Sequence, residues 1–381
     1  MKRFFFVSRH DGPPLDVEFA PGVDGGDRYR LVALLTPRSL LRLGLIGAVM
    51  ICITGCFAWA GGWFSSGRLD QSRITDAFEA VNGVHSGFRR NHSKGVCLAG
   101  VFESNGAGAR YSKAAVFKPG REPVFGRFAL AGGMPMVPDG PSLVRSMALN
   151  LALPDGETWR TGMNDIPVFP VRDARGFYDQ LLAMQPDPKT GKPIAEKMSA
   201  FLAAHPESAR ALSIIRAQPF SSGFADATYN SLNAFRLIDA SGRATAARWS
   251  MVPVDTFVPA PSNPPKDRNY LFDDLLARVR RGPVQWRLVL TLGEPGDSTD
   301  DATIPWPRTR QSIEVGTLTV TRLDTESAGN CRDINFDPLV LPSGIAPSDD
   351  PLLSARSATY AVSFTRRAGE AKTPSAVQIE P

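Results

Sequence analysis

Two periodicities divide the chain. Between about residues 94 and 160, short apolar runs are separated by Gly/Pro turns. Residues 96–102, 114–117, 124–130 and 146–153 are β-rich or alternate with period 2 and are predicted strands. Residues 173–184 switch to helical spacing, with Phe177, Leu181 and Leu182 on one side, and 194–204 and 208–217 repeat that character. Strands return at 231–237, 244–252 and 284–292, around an amphipathic helix at 270–280 (YLFDDLLARVR). Residues 313–321 (IEVGTLTVT) form a clean period-2 strand. A Pro/Gly-rich loop at 337–350 leads into a final helix at 352–367. Antiparallel hairpins interrupted by helices predict an α+β fold with a barrel or sandwich at its centre. No internal repeat is present.

The N-terminus follows a third pattern. Residues 43–64 read LGLIGAVMICITGCFAWAGGWF, and no charged side chain lies between Arg42 and Arg68. About 20 apolar residues suffice to cross a bilayer, and Trp59 and Trp63 lie where interfacial aromatics are expected. Arg28, Arg30, Arg38 and Arg42 precede the span closely, against Arg68 and Arg73 after it. That bias predicts a cytoplasmic N-terminus and an exported remainder. A signal peptide and a buried core helix compete with this reading, but the span is long for either, and residues 1–41 exceed an ordinary signal n-region. A lipoprotein-like Ile53-Thr54-Gly55-Cys56 keeps cleavage to a periplasmic form open. The expected organisation is a tail at 1–41, a transmembrane anchor at 42–65 and one core domain at 70–381.

Composition narrows the classes. The chain has 381 residues, 43% hydrophobic and 21% charged, which excludes disordered and coiled-coil proteins. A net charge of +5 without a Lys/Arg run argues against a nucleic-acid partner. Of four cysteines, Cys52 and Cys56 lie in the span, and Cys97 and Cys331 in the body. The latter read first as two buried thiols and, if the body is exported, alternatively as a disulfide, with no Cys/His spacing for zinc. Walker, GxGxxG, HExxH, GxSxG and EF-hand motifs are missing.

Two stretches carry the candidate chemistry. One is Phe88-Arg89-Arg90-Asn91-His92-Ser93-Lys94-Gly95, at the start of the first strand. The other is Arg356-Ser357-Ala358-Thr359-Tyr360, where Arg356 and Tyr360 share one helix face. A guanidinium beside a phenol favours the phenolate, a hard anionic donor suited to ferric haem iron.

At these residues the sequence resembles the haem catalase superfamily, most closely its short, membrane-anchored or periplasmic catalase-related peroxidases. The ordered pieces are Arg89…His92-Ser93-Lys94-Gly95, Gly126-Arg127-Phe128-Ala129 and Asn164-Asp165-Ile166-Pro167-Val168-Phe169 with Arg172-Asp173. They continue with Asn233-Ala234-Phe235, Arg248-Trp249, Phe336-Asp337-Pro338 and Arg356-x-x-x-Tyr360. The resemblance implies an eight-stranded antiparallel β-barrel with inserted helices, holding haem b (iron protoporphyrin IX). It implies His92 as distal acid-base, Asn164 as distal amide, Tyr360 as axial iron ligand and Arg356 as its support. Arg89, Arg127 and Arg367 correspond to propionate-binding arginines, and Phe169 and Phe177 to aromatics near the haem face and its access route.

Two departures bear on activity. Ala129 stands where full catalases carry a serine that supports the distal histidine, and Phe88 where they carry an acidic or amide side chain. The sequence also stops soon after Tyr360, where full catalases continue into a helical domain. The expectation is a peroxidase that reduces organic peroxides, with hydrogen peroxide as a further acceptor, using a small electron donor. Association into a homo-oligomer is compatible with it. The competing expectations are a slow true catalase and a non-catalytic haem-binding barrel.

Overall fold

The computed structural model describes residues 36–61 and 69–380, in two compact units divided after Arg68. The first unit contributes helix α1, Pro37–Ala60. Thr36 caps it by accepting from Ser39 N–H, and Pro37 follows at the first helical position, where its missing N–H costs nothing. The helix starts five residues before the anchor expected from hydropathy. The helix is long and apolar enough to cross a membrane. Residues 1–35 of the tail and 62–65 of the anchor lie outside the described residues.

The second unit opens with α2, Gln71–Asn82, an element that the sequence pattern did not announce. Asp70 caps it through Arg73 N–H, and Ile74, Ala77 and Phe78 form its buried stripe. Ten strands follow. They are β1 Gly95–Ser104, β2 Gly120–Leu130, β3 Arg145–Ala152, β4 Thr158–Asn164, β5 Tyr229–Asn230, β6 Phe235–Ile238, β7 Ala244–Pro253, β8 Val284–Leu292, β9 Ser312–Asp324 and β10 Ile345–Pro347. Of these, β4, β5 and β10 lie outside the predicted runs. All pairings are antiparallel. Strands β7-β5-β4-β3-β2-β1-β9-β8 form a continuous sheet, and β8 pairs back onto β7, closing an eight-stranded barrel. Strands β6 and β10 extend β7 outside the ring.

Three local expectations change. Residues 115–117 form a 3-10 turn instead of a strand. Val116 and Phe117 are apolar because they are buried, and no strand pairs with them. Of the run at 231–237 only 235–237 is strand, in β6, because Leu232 takes a positive φ of 65° and Asn233 turns its side chain to Asp350 and Arg356. Strand β4 was not foreseen. It buries Trp159, Thr161 and Met163, and the polar Thr161 is tolerated there because it accepts from Trp249 Nε1 at 3.0 Å.

Strand alternation gives the barrel wall two faces. Val96, Phe128, Met147 and Met163 lie opposite one another across four strands and are buried in the core. One residue along each strand, Cys97, Arg127, Ala148 and Gly162 form a second row on the other face. The helices are α3 Ala174–Ala183, α4 Ala195–Ala204, α5 Pro206–Ala217, α6 Tyr270–Arg281 and α7 Pro351–Ala368. Helix α7 carries Arg356, Tyr360 and Arg367, and packs with α2 and α3. A disulfide joins Cys97 on β1 to Cys331, settling the choice that the sequence left open between a disulfide and two thiols.

Candidate active site

A cavity open to solvent borders the second face of the barrel wall. All nine residues singled out from the sequence line it: His92, Asn164, Tyr360, Arg356, Arg89, Arg127, Arg367, Phe169 and Phe177. They come from the segment before β1, from β2 and β4, from the loop after β4, and from α3 and α7.

His92 is held under local strain. Its φ of 53° is in the left-handed region, uncommon for any residue but glycine. Asn91 Oδ1 fixes that geometry by accepting from both His92 N–H and Gly132 N–H at 2.9 Å. Ser93 donates to the Gly132 carbonyl from its own N–H and hydroxyl. His92 Nδ1 is buried and has no hydrogen-bond partner among the described residues. Burial, then the guanidiniums of Arg127, Arg356 and Arg89, push the imidazole down to about 3, so it is neutral at physiological pH. Ala129, next to Phe128 and on the Arg127 face by alternation, is fully apolar.

Helix α7 presents the other polar wall. Asp350 caps its N-terminus by accepting from Leu352 N–H, and also accepts from Asn233 Nδ2 at 2.7 Å. Asn233 Oδ1 in turn accepts from Arg356 at 2.5 Å, which aims that guanidinium one helical turn from Tyr360. Gly162 lies beneath both. A Cβ there would come within 3.5 Å of Tyr360 Oη and 3.6 Å of Arg356 Nη2. The bare glycine and Ala148 leave the floor of the cavity open.

Three guanidiniums converge at one side. Arg127 pairs with Glu326 at 2.5 Å, and both are buried. Arg89 donates to the carbonyls of Cys331 (2.9 Å), Arg332 (3.4 Å) and Ile334 (3.0 Å). Arg367 donates to those of Arg332 and Ile334. Burial and the neighbouring Arg367 and Arg127 lower Arg89 well below an ordinary arginine, and burial lowers Arg367 to about 10. Burial raises Glu326, but Arg127, Arg89 and Arg332 together outweigh it and the carboxyl is net lowered. Arg127 and Arg367 are buried and Arg89 half-buried, and three cations held around a single carboxylate make a receptor for an anion. Gly95 is what permits Arg127 to lie across β1, since a Cβ would meet the Phe128 carbonyl at 2.4 Å and Arg127 Nη2 at 2.6 Å.

The structure adds residues to which the sequence reading gave no role in the site. Ile74 and Phe78 of α2 line the cavity, and Phe78 meets Phe177, itself 6.0 Å from Phe169, at 5.4 Å between ring centroids. The amphipathic stripe of α2 was their available signal. Phe336 lies under the Arg89 guanidinium at 5.5 Å. Glu326 had no local signal, because only the fold brings it to Arg127. Arg90 joins Glu79 of α2 to Glu370 beyond α7, and Phe88 packs its ring under Arg332, so neither faces the chemistry alone.

Similarity to known proteins agrees with this geometry. The catalase family profile matches residues 72–374. The chain is 37% identical over 309 residues to a catalase-related peroxidase of Synechococcus elongatus, covering 80% of this chain and 90% of that protein. It is 34% identical to a catalase-related peroxidase of Mycolicibacterium paratuberculosis, over 80% of this chain and 96% of that one. A solved bacterial catalase superposes with a TM-score of 0.66 at 22% identity, covering 74% of this chain and 58% of the catalase. The chain belongs to the catalase family, whose members are haem oxidoreductases acting on peroxide. Within that family it stands with the catalase-related peroxidases.

Proposed function

We propose that this protein is a haem b peroxidase that reduces organic peroxides, and hydrogen peroxide as a further acceptor, with electrons from a small donor. The single observation that carries this reading is the convergence of a phenol, a neutral imidazole, an amide and three arginines on one cavity. The donor set fits the group. The two propionates of the porphyrin match the excess of guanidinium over carboxylate at Arg89, Arg127 and Arg367. Tyr360 offers one hard oxygen ligand above the open floor at Gly162, and Arg356 supports it.

Bound there, haem supplies the redox chemistry of peroxide cleavage. His92, neutral and desolvated, takes the proton from the inner peroxide oxygen and returns it to the outer one, so that water or an alcohol leaves. Asn164 orients the peroxide by hydrogen bonding without titrating. Phe169, Phe177, Phe78 and Ile74 give the approach apolar walls that suit an organic peroxide. The unpartnered Nδ1 of His92 favours reduction by an external donor over dismutation, since the imidazole lacks a hydrogen bond that would tune its basicity.

The test is the partition of products. Wild type should oxidise the donor with little oxygen release, and oxygen release that dominates with excess donor present would favour the catalase reading. Ala129→Ser should raise oxygen release a few-fold, about the worth of one neutral hydrogen bond.

The same reading places residues 42–65 as a single-pass anchor, 1–41 as a cytoplasmic tail and 70–381 as a periplasmic catalytic domain, with cleavage as the alternative. The Cys97–Cys331 disulfide supports an oxidising compartment for that domain. Self-association, common in this family, is compatible with it.

A further inference from the structure

The disulfide lies where it bears on the cofactor. Cys97 pairs directly with Arg127 across β1 and β2, and with Asp324 across β1 and β9. Cys331 opens the 3-10 turn Cys331–Asp333. The carbonyls of this turn and of Ile334 receive the hydrogen bonds of Arg89 and Arg367. Five residues before Cys331 is Glu326, the partner of Arg127, whose carboxylate lies 3.8 Å from Cys331 Sγ. Both cysteines are buried and pack with Phe336, Ile334, Ala148 and Tyr360. One covalent link therefore ties the barrel wall that carries Arg127 to the segment that orients the other two arginines.

We propose that Cys97 and Cys331 are positioning residues of the cofactor cradle, so that the oxidised chain retains haem and the dithiol chain releases it. The inference rests on the haem reading above. Two thiol sulfurs cannot stay at bonding distance. In the dithiol they must move apart to van der Waals separation, although both side chains are buried among their neighbours. The barrel strand is fixed by ladders on both edges, so the 331–334 segment is the side that yields. Its carbonyls then turn away from Arg89 and Arg367, which lose the acceptors that hold the two guanidiniums side by side. Forming the link converts two thiols to one S–S bond and releases two protons and two electrons, which an external disulfide oxidant accepts by thiol–disulfide exchange. Oxidation by such a partner thus precedes stable cofactor retention.

The experiment uses the full chain in detergent micelles, with Cys52→Ser and Cys56→Ser so that only the one pair remains. Haem transfer to an excess of haem-free globin is followed by absorbance. Cys97→Ala/Cys331→Ala is compared with Leu275→Ala, a core change on α6 away from the cavity, both assayed equally far below their own melting temperatures. The cysteine variant should lose haem at least about tenfold faster than the Leu275 variant, equivalent to one lost hydrogen bond from a charged donor. Equal rates would overturn the proposal. Should the double variant not fold, the loaded parent is treated with a phosphine reductant, with thiols and haem counted together. Release that tracks thiol appearance supports the inference, and full retention with both thiols free refutes it. An oxidised parent that takes up no haem would instead refute the haem reading itself.

Discussion

The two faces of strands β1–β4 differ by one residue of register and in nearly everything else. The inward row Val96, Phe128, Met147 and Met163 is apolar and closely packed, with Phe128 within 5.5 Å of both Phe224 and Trp286. The outward row Cys97, Arg127, Ala148 and Gly162 combines a disulfide, a buried ion pair and two small residues that leave space. The inner face spends its side chains on stability, whereas the outer face withholds them to make room for a ligand. Substitutions on the two faces should therefore fail in different ways.

The largest effect on stability is expected on the inner face. Phe128→Ala should cost about 3–5 kcal/mol in chemical denaturation. A cost below about 1 kcal/mol would mean that the aromatic packing is not what holds the barrel. A pair of glycines sharpens the contrast. At Gly126 a Cβ would meet the Ala148 carbonyl at 2.4 Å, so Gly126→Ala should destabilise by about 1–3 kcal/mol. At Gly162 a Cβ makes only ordinary contacts, at 3.5 Å and 3.6 Å, so Gly162→Ala should leave the melting temperature of the haem-free protein nearly unchanged. It should nevertheless reduce haem uptake in titration. Equal stability losses at both glycines would erase the distinction between the faces.

A further effect concerns pH. His92 titrates near 3 when folded and near 6.5 when unfolded, so below pH 6.5 the unfolded chain takes up its proton first. The contribution of His92 is flat above pH 6.5, and stability is lost as pH falls from there toward 3, with a limiting slope of about 1.4 kcal/mol per pH unit. The difference in unfolding free energy between wild type and His92→Gln, measured across that window, should show this slope. A difference independent of pH would contradict a buried neutral imidazole.

The same contrast explains what was legible in the sequence. Period-2 alternation marks one face of a strand, so the barrel was readable wherever that face is uniformly apolar, as in β2, β3, β8 and β9. It faded in β4, where Thr161 faces inward and Gly162 and Asn164 dilute the outward pattern. The outer face has no period to read, because its residues are set by a ligand. His92, Asn164, Arg356 and Tyr360 emerged from family resemblance, and each lines the cavity. Glu326 and the 331–334 carbonyls did not emerge, since their role exists only through contacts with residues distant in sequence. The left-handed φ of His92 was equally invisible, because it is imposed by Asn91 and the 132 turn.

The central claim is that His92 moves the proton in a haem pocket closed by Tyr360. Stopped-flow mixing of the haem-loaded full chain with an alkyl hydroperoxide tests it most directly, reading the Soret band before and after mixing. His92→Ala should keep the resting haem spectrum and slow the peroxide-dependent spectral change by about 10²–10⁴-fold. A variant that reacts at the wild-type rate would contradict the account.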